Sequence, residues 1–395
     1  GNIDVDGVTN LDVVDIDGAV DMASTLNVTG AITGTSATLT GDITASSLNG
    51  GQFGGRRNLI INGAMKVAQR GTSATGVGAN NGVYPTVDRI KVVALNTAGR
   101  ATMSQVADVH DGFANALKLE CTTADTSIAS NEIFVLQTGF EGQDLQQLKK
   151  GTSNAEKVTV SFYVKANANA TYGVELEDGD NSRFNSQSFA VTTNWTRVTK
   201  TFIADTTGSL DDDNALSLNL NIWLHGGSDY SGGNFSSNTW HTTTNQRMVD
   251  SQTSFFDSTD RTFFLTGLQL EVGSVATPFE HRSFGEELAL CQRYFQVITD
   301  GDGFARNTTS ALFGVKFQNQ MRANPTFSQT ASVLSITNGY AWDKTQSSVS
   351  IAIIASRVLP TGAQLALDNF SGLTQYQPVA INNVNGGNIL ADAEL

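Results

Sequence analysis

The stretch RTFFLTGLQLEVGSVATPFEHRSFGEELALCQRYF, Arg261 to Phe295, decides how this chain is read. Its first part alternates as a strand does. Phe263, Leu265, Gly267 and Gln269 share one face, and Phe264, Thr266, Leu268 and Leu270 the other. Apolar residues on both faces predict a strand buried along most of its length. Gly273 breaks it, and Pro278 fixes an extended exit. At Ser283 the period changes. Ser283 is placed to cap a helix, with Glu286 three residues on as its reciprocal partner. Leu288, Cys291, Tyr294 and Phe295 then recur at helical spacing. A sheet domain closes here, and a short amphipathic helix leads out of it.

Working back towards Gly55, short alternating runs separated by turn residues predict strands. They are expected at 59–67, 87–94, 101–107, 116–121, 132–137, 158–166, 172–176, 188–191, 197–203 and 216–224. Val158, Val160, Phe162 and Val164 alternate with Thr159, Ser161, Tyr163 and Lys165, the mark of a half-buried antiparallel strand. No long helical period interrupts them, so the expected fold is an antiparallel β-sandwich. Between His225 and Thr259 some thirty residues rich in Gly, Ser, Asn and Thr show no clear strand. A loop of that length in a compact domain is functional or disordered. It carries Tyr230, Phe235, Trp240 and His241 and leaves a strand ending in Trp223. Sugar rings stack on aromatic rings, and Asn, Asp and His take up their hydroxyls. These five residues are therefore candidate glycan contacts. The alternative is that Trp240 and Phe235 pin the loop to its own domain or to a neighbouring subunit. The acidic tip EDGDNSR, with Asp178, Asp180 and Asn181, looks like half of a calcium loop but lacks the closing bidentate Glu.

Two passages carry a resemblance. The closing LTGLQLEVGSVATPFEHRSFGEELALCQRYF, and the opening RNLIINGAMKVAQRG (Arg57 to Gly71) with YPTVDRI (Tyr84 to Ile90), resemble tailed-phage tail-fibre and related virion structural proteins. In that family they bracket a jelly-roll domain similar to carbohydrate-binding modules, here residues 56–284. LKKGTSNAEKVTVSFYVKANAN (Leu148 to Asn169), TTNWTRVTKTF (Thr192 to Phe202), FQNQMRANPTFS and the terminal DAEL (Asp392 to Leu395) are similar as well. Related modules often hold a calcium ion between their first and last strands. The positions here are Asn62 and Thr266, not an acidic pair, so no metal and no cofactor are expected.

The first residues repeat. Val5-Asp6-Gly7, Ile16-Asp17-Gly18, Val28-Thr29-Gly30 and Leu39-Thr40-Gly41 place glycines 11, 12 and 11 residues apart. Each unit reads as a short strand, a Gly turn and another short strand. One chain cannot bury such an apolar row, but three wound about an axis can. Residues 1–55 are thus expected to form an acidic trimeric stalk with a flexible SSLNGGQFGG junction; phage-fibre shafts look similar. Beyond a connecting helix at 285–295, residues 296–395 read as a separate, smaller β domain. Phe313, Val315 and Phe317 form one row there, and Val349, Ile351 and Ile353 another. Tyr340 and Trp342, in the NGYAWDK turn, are further candidate glycan contacts, or pack on a neighbouring strand.

Composition sets the bounds. Of 395 residues only 16% are charged, which suits β-structure with polar, uncharged surfaces. A net charge of −14 argues against a nucleic-acid partner. No apolar run is long enough to insert in a membrane. Cys121 and Cys291 lack metal-ligand or redox spacing and are expected as buried free thiols. No initiating Met is present, so the chain is expected to be processed or part of something longer. No Ser/His/Asp order, HExxH or phosphate loop is present, so no enzyme is expected. The expectation is a non-catalytic homotrimeric phage fibre, part of a virion, that adheres to a bacterial surface polysaccharide. The alternative is a purely structural fibre or adaptor that binds other virion tail proteins. A depolymerase tailspike fits less well, because the repeats stop near residue 45.

Overall fold

The computed structural model describes Gly34 and residues 56–249, 251–330, 334–338, 345–348, 350–382 and 387–395, with backbone alone for 338, 345–348, 350–356 and 382. The chain divides into two units, Gly1–Ser46 and Ser47–Leu395. The repeat expected as a stalk lies outside the described residues. So do Tyr340 and Trp342.

Eleven strands build the sandwich: β1 (Ser73–Val77), β2 (Lys91–Leu95), β3 (Arg100–Val106), β4 (Ala116–Thr123), β5 (Ile133–Glu141), β6 (Val158–Ala166), β7 (Ala170–Asp178), β8 (Arg183–Val191), β9 (Thr196–Phe202), β10 (Leu216–Gly226) and β11 (Thr262–Val272). One sheet runs β1-β3-β4-β11-β6-β9 and the other β2-β5-β10-β7-β8, with every pairing antiparallel. The protein is an all-β jelly-roll-type sandwich followed by a smaller β domain. The alternation in β6 and β10 fixes their faces. Val158, Val160, Phe162 and Val164 point into the core with Leu218, Leu220, Ile222 and Leu224.

The strand that decides the fold departs from simple alternation. Between Thr266 and Gln269 the register of β11 on β6 slips by one residue. Gly267 takes up the slip at φ 61°, where a Cβ would strike the Phe113 and Tyr163 rings at 2.6 and 2.9 Å. The bulge flips the pattern. Phe263, Leu265, Leu268 and Leu270 therefore all face the core, while Gln269 turns to the outer face with Glu271. The strand expected at 59–67 is not one. It is a strap alongside the second half of β11, with the Leu59 N–H on the Leu270 carbonyl and the Leu268 N–H on the Gly63 carbonyl, both at 2.9 Å.

The quoted stretch clamps this strap. Arg282, buried, donates to the carbonyls of Ile60 (2.9 Å) and Asn58. Glu287 accepts from the Asn62 N–H at 2.5 Å and pairs with Arg282 at 3.3 Å. Asn62 itself sits at φ 62°, and its amide closes the turn on both backbone groups of Val67 and on the Asp88 carbonyl. The connecting helix spans Phe284–Gln292, and Ser283 Oγ accepts the Glu286 N–H at 3.2 Å as its cap. Cys291 is buried on this helix and Leu288 half-buried, while Phe295 already opens the next strand.

Residues 295–395 contribute two further sheets. Phe295–Ile298, Ile389–Asp392 and Thr326–Gln329 form a small one. The larger one runs, in spatial order, Thr345–Ser348, Leu334–Asn338, Pro378–Asn382, Asp302–Ala305, Ala311–Lys316, Gly362–Asp368 and Ser350–Leu359. Its core centres on Phe313, Val315, Ile336 and Leu365, with Phe317 packed at its margin. Ion pairs join this smaller β domain and the segment leading into it to the sandwich. Arg70 pairs with Asp392 (3.1 Å) and Glu394 (3.3 Å), buried Arg89 with Glu394, and Arg293 with Glu141 (2.5 Å). The Arg70 and Arg89 guanidinium groups also lie 3.5 Å over the Phe295 and Tyr294 rings.

Candidate functional site

Because β10 is central in its sheet, its outward residues have neighbours on both sides. Asn219, Asn221 and Trp223 lie between Gln137, Val135 and Ile133 of β5 and Glu175 and Glu177 of β7. Except for Glu175, which is fully buried and outside the lining, these side chains floor a groove of about 300 Å³, which Lys91 of β2 and the Asn81–Gly82 turn border on one side. The far wall comes from the long 225–259 segment through Tyr230 and Arg247.

The floor is held rigid by its own hydrogen bonds. Gln137 Nε2 donates to Asn221 Oδ1 at 2.9 Å, and Asn221 Nδ2 donates to Glu175 and Glu177, each at 2.8 Å. Arg247 caps the pair, with its Nε and terminal nitrogen on the Glu175 oxygens at 3.0 and 2.7 Å, and Glu177 also within 3.0 Å. Burial alone would lower the Arg247 guanidinium, but the two carboxylates outweigh it and keep it firmly charged. Its face lies 4.0 Å over the Phe184 ring and 5.3 Å over Trp223. Burial also pulls the Lys91 ammonium below the usual lysine range, against the attraction of Glu394. Among the described residues, two floor atoms have no hydrogen-bond partner: Asn219 Oδ1 and Trp223 Nε1.

The sequence candidates separate in space. Trp223 and Tyr230 meet at 5.4 Å between ring centroids and line the groove. Trp240 turns away: its indole N–H donates to the Ile203 carbonyl at 2.9 Å, and its ring packs against the sandwich core. His241 exchanges backbone hydrogen bonds with Phe184 at the start of β8, and burial holds its imidazole below the usual histidine range. Phe235 is half-buried on the same segment and outside the groove lining. The segment expected to be structureless is thus folded onto the sheet. It holds short helical turns at Ser228–Ser231 and Thr244–Gln246 and drives Phe255 and Phe256 fully into the core. Gln137, Glu175, Glu177, Asn219, Asn221 and Arg247 were not legible as a site. The signal for those on β10 and β7 was a row of polar residues alternating with an apolar one, which on β7 runs as far as Leu176.

The acidic tip that looked like half a calcium loop is neutralised from within. The Lys150 ammonium reaches Asp178, Asp205 (3.1 Å) and the carbonyls of Thr207 (3.1 Å) and Gly208 (2.9 Å). Asn181 and Arg183 complete the partners of Asp178 and Asp205.

No protein-family model matches the sequence, and no curated protein does. Solved structures that resemble the chain are mainly carbohydrate-binding modules. A family 11 module from Clostridium thermocellum, in complex with a β-1,3-1,4-mixed-linked tetrasaccharide, is 9% identical over 52% of this chain and 98% of its own, with a TM-score of 0.26. A family 61 module in complex with β-1,4-galactotriose is 11% identical over 55% and 99%, with a TM-score of 0.26. The enzymatically active domain of tailspike protein 4 from bacteriophage CBA120 is 8% identical over 54% of this chain and 21% of its own, with a TM-score of 0.27. At such identities and TM-scores, the chemistry of the groove has to be read from its own residues.

Proposed function

We propose that this chain is a phage tail-fibre protein that binds a bacterial surface polysaccharide in the groove of the five-stranded sheet, without cleaving it. The observation that carries this reading is the groove itself: a floor of amides, carboxylates and a guanidinium fixed in place by mutual hydrogen bonds, edged by Trp223 and Tyr230. Such a surface offers donors and acceptors to sugar hydroxyls at little ordering cost, with rings for the apolar faces. Glu175 and Glu177 are both tied as acceptors of Arg247 and Asn221. With Glu175 fully buried and only Glu177 on the groove, this suits holding hydroxyls through Glu177 rather than flanking a scissile bond as an acid and a nucleophile. The wording of the opening and closing stretches, and the acidic repeat before residue 55, support the virion and trimer parts of the reading. Three weak sites on one fibre would bind a cell surface far more tightly than one.

Glycan-array binding by the purified chain tests this, with reducing ends followed in parallel and sedimentation giving the oligomeric state. Retention of a bacterial polysaccharide by a trimer, lost on Asn221→Ala with Tyr230→Ala, is the expected result. Release of reducing ends would make it a depolymerase. A folded chain that retains no glycan but captures a purified tail protein of its phage would make it a structural adaptor.

A further inference from the structure

A bulge after Trp223 pairs His225 with the core residue Phe134, so His225 turns to the inner side of β10, where the 225–259 segment leaves the sheet. Ser254 marks its return, because the next N–H, Phe255, donates to the Leu224 carbonyl at 2.8 Å. Asp125 and Glu132 reach the same spot from the connection between β4 and β5. All three titratable residues are buried, at 5%, 4% and 1% exposure, and each offers a ligand atom within 4.8 Å of the others. His225 Nε2 meets Glu132 Oε2 at 2.9 Å, and its Nδ1 meets Ser254 Oγ at 2.8 Å. The Phe256 ring closes one side, 5.4 Å from the imidazole.

Charge makes this cluster unlike its neighbours. Buried Glu141, Glu175, Asp178, Asp205 and Glu287 each meet a lysine or arginine, and buried Glu271 is a single carboxylate met by three neutral donors from Gln269 and Thr277. Among the described residues no lysine or arginine pairs with Asp125 or Glu132; Glu132 has the imidazole and the Ala129 N–H (2.9 Å), and Asp125 the Thr97 hydroxyl and backbone N–H groups such as that of Ala98. Two carboxylates facing a single imidazole leave negative charge unmatched in a desolvated place, which is costly. A divalent cation with a neutral imidazole balances it. We propose that Asp125, Glu132 and His225 bind a divalent transition ion of the zinc class. Two carboxylate oxygens and an imidazole nitrogen are the donor types zinc takes. Zinc donors sit ~2.0–2.2 Å from the ion, so the His225–Glu132 pair would open by a few tenths of an ångström to admit it. Ser254 on Nδ1 is then the outer partner that fixes the ring. The ion would fasten both ends of the segment that walls the groove, whether or not that groove holds a glycan.

The test uses chelator-stripped protein and zinc chloride alone. Calorimetry is expected to give one zinc per chain, and the melting temperature to rise with zinc concentration. Both effects should vanish in His225→Gln and in Glu132→Gln, and persist in His110→Ala/His281→Ala, which removes the histidines packed on Tyr163 and Phe113. If the buried variants do not fold, the wild type against His110→Ala/His281→Ala still decides. A folded wild type that binds no stoichiometric zinc, or whose zinc disappears with His110 and His281, overturns the proposal.

Discussion

Two buried acidic clusters in this sandwich meet the same electrostatic problem in opposite ways. At one end Asp178 and Asp205 enclose the Lys150 ammonium, which two carbonyls also hold. At the other, Asp125 and Glu132 face an imidazole and, among the described residues, no lysine or arginine. The first carries its cation on its own chain and is complete whatever the solvent contains. The second depends on what the medium supplies. The contrast also warns about sequence signals, since the tip that looks like a calcium loop is the one filled by a lysine.

The largest expected effect comes from removing that lysine. Lys150→Met should cost ~3–5 kcal/mol in denaturant unfolding, because it leaves buried Asp178 without a cation and Asp205 with Arg183 alone. A loss below 1 kcal/mol would show that water already reaches them and would erase the contrast. A third carboxylate sharpens it. Burial raises the Asp88 carboxyl from an ordinary 3.8 to about 6, with Gln69 and Arg70 only partly opposing. The folded chain therefore holds this proton more tightly than the unfolded one. The resulting stability is complete below pH 3.8 and is lost as pH rises through about 6, roughly 3 kcal/mol at 1.36 per unit. Unfolding midpoints from pH 3.5 to 7 should show this slope, and Asp88→Asn should flatten it.

Much of the architecture was legible because period-2 alternation directly reports which face is buried. The rows in β6 and β10, and the Ser283 cap, needed nothing beyond local chemistry. The Gly267 bulge did not announce itself, because the slip depends on Phe113 and Tyr163, which no local pattern ties to that glycine. The groove was hidden for a related reason. Asn219 and Asn221 read as ordinary solvent-facing alternates until β5 and β7 flank them and Arg247 arrives from a distant segment. Trp240 was visible as unusual, yet only the fold shows its N–H committed to Ile203.

Two smaller effects divide the aromatics of that segment. Tyr230→Ala should weaken glycan retention up to about tenfold, the worth of one ring contact of ~0.5–1.5 kcal/mol, with little change in melting. Trp240→Ala should do the reverse, lowering the melting temperature and leaving retention intact. Equal retention by both variants would separate the groove from recognition. The smallest effect belongs to the cluster without a lysine. In metal-free protein Glu132→Gln should cost under ~1 kcal/mol, since it discards a hydrogen-bonded charge but also relieves repulsion. A loss as large as that of Lys150→Met would mean that the imidazole alone already serves as the cation.

The place of β11 has a consequence in time. It is the last strand of the sandwich to be made, yet it sits between β4 and β6, so until it emerges the six-stranded sheet exists only as two pieces with open edges. At ~5–20 residues per second a ribosome needs on the order of ten seconds to pass from β6 to β11. Throughout that interval the edges of β4 and β6 are free to pair with any neighbouring nascent chain. Where many copies are made in one cell, slower translation or a holding chaperone is therefore expected to raise the yield of soluble chain.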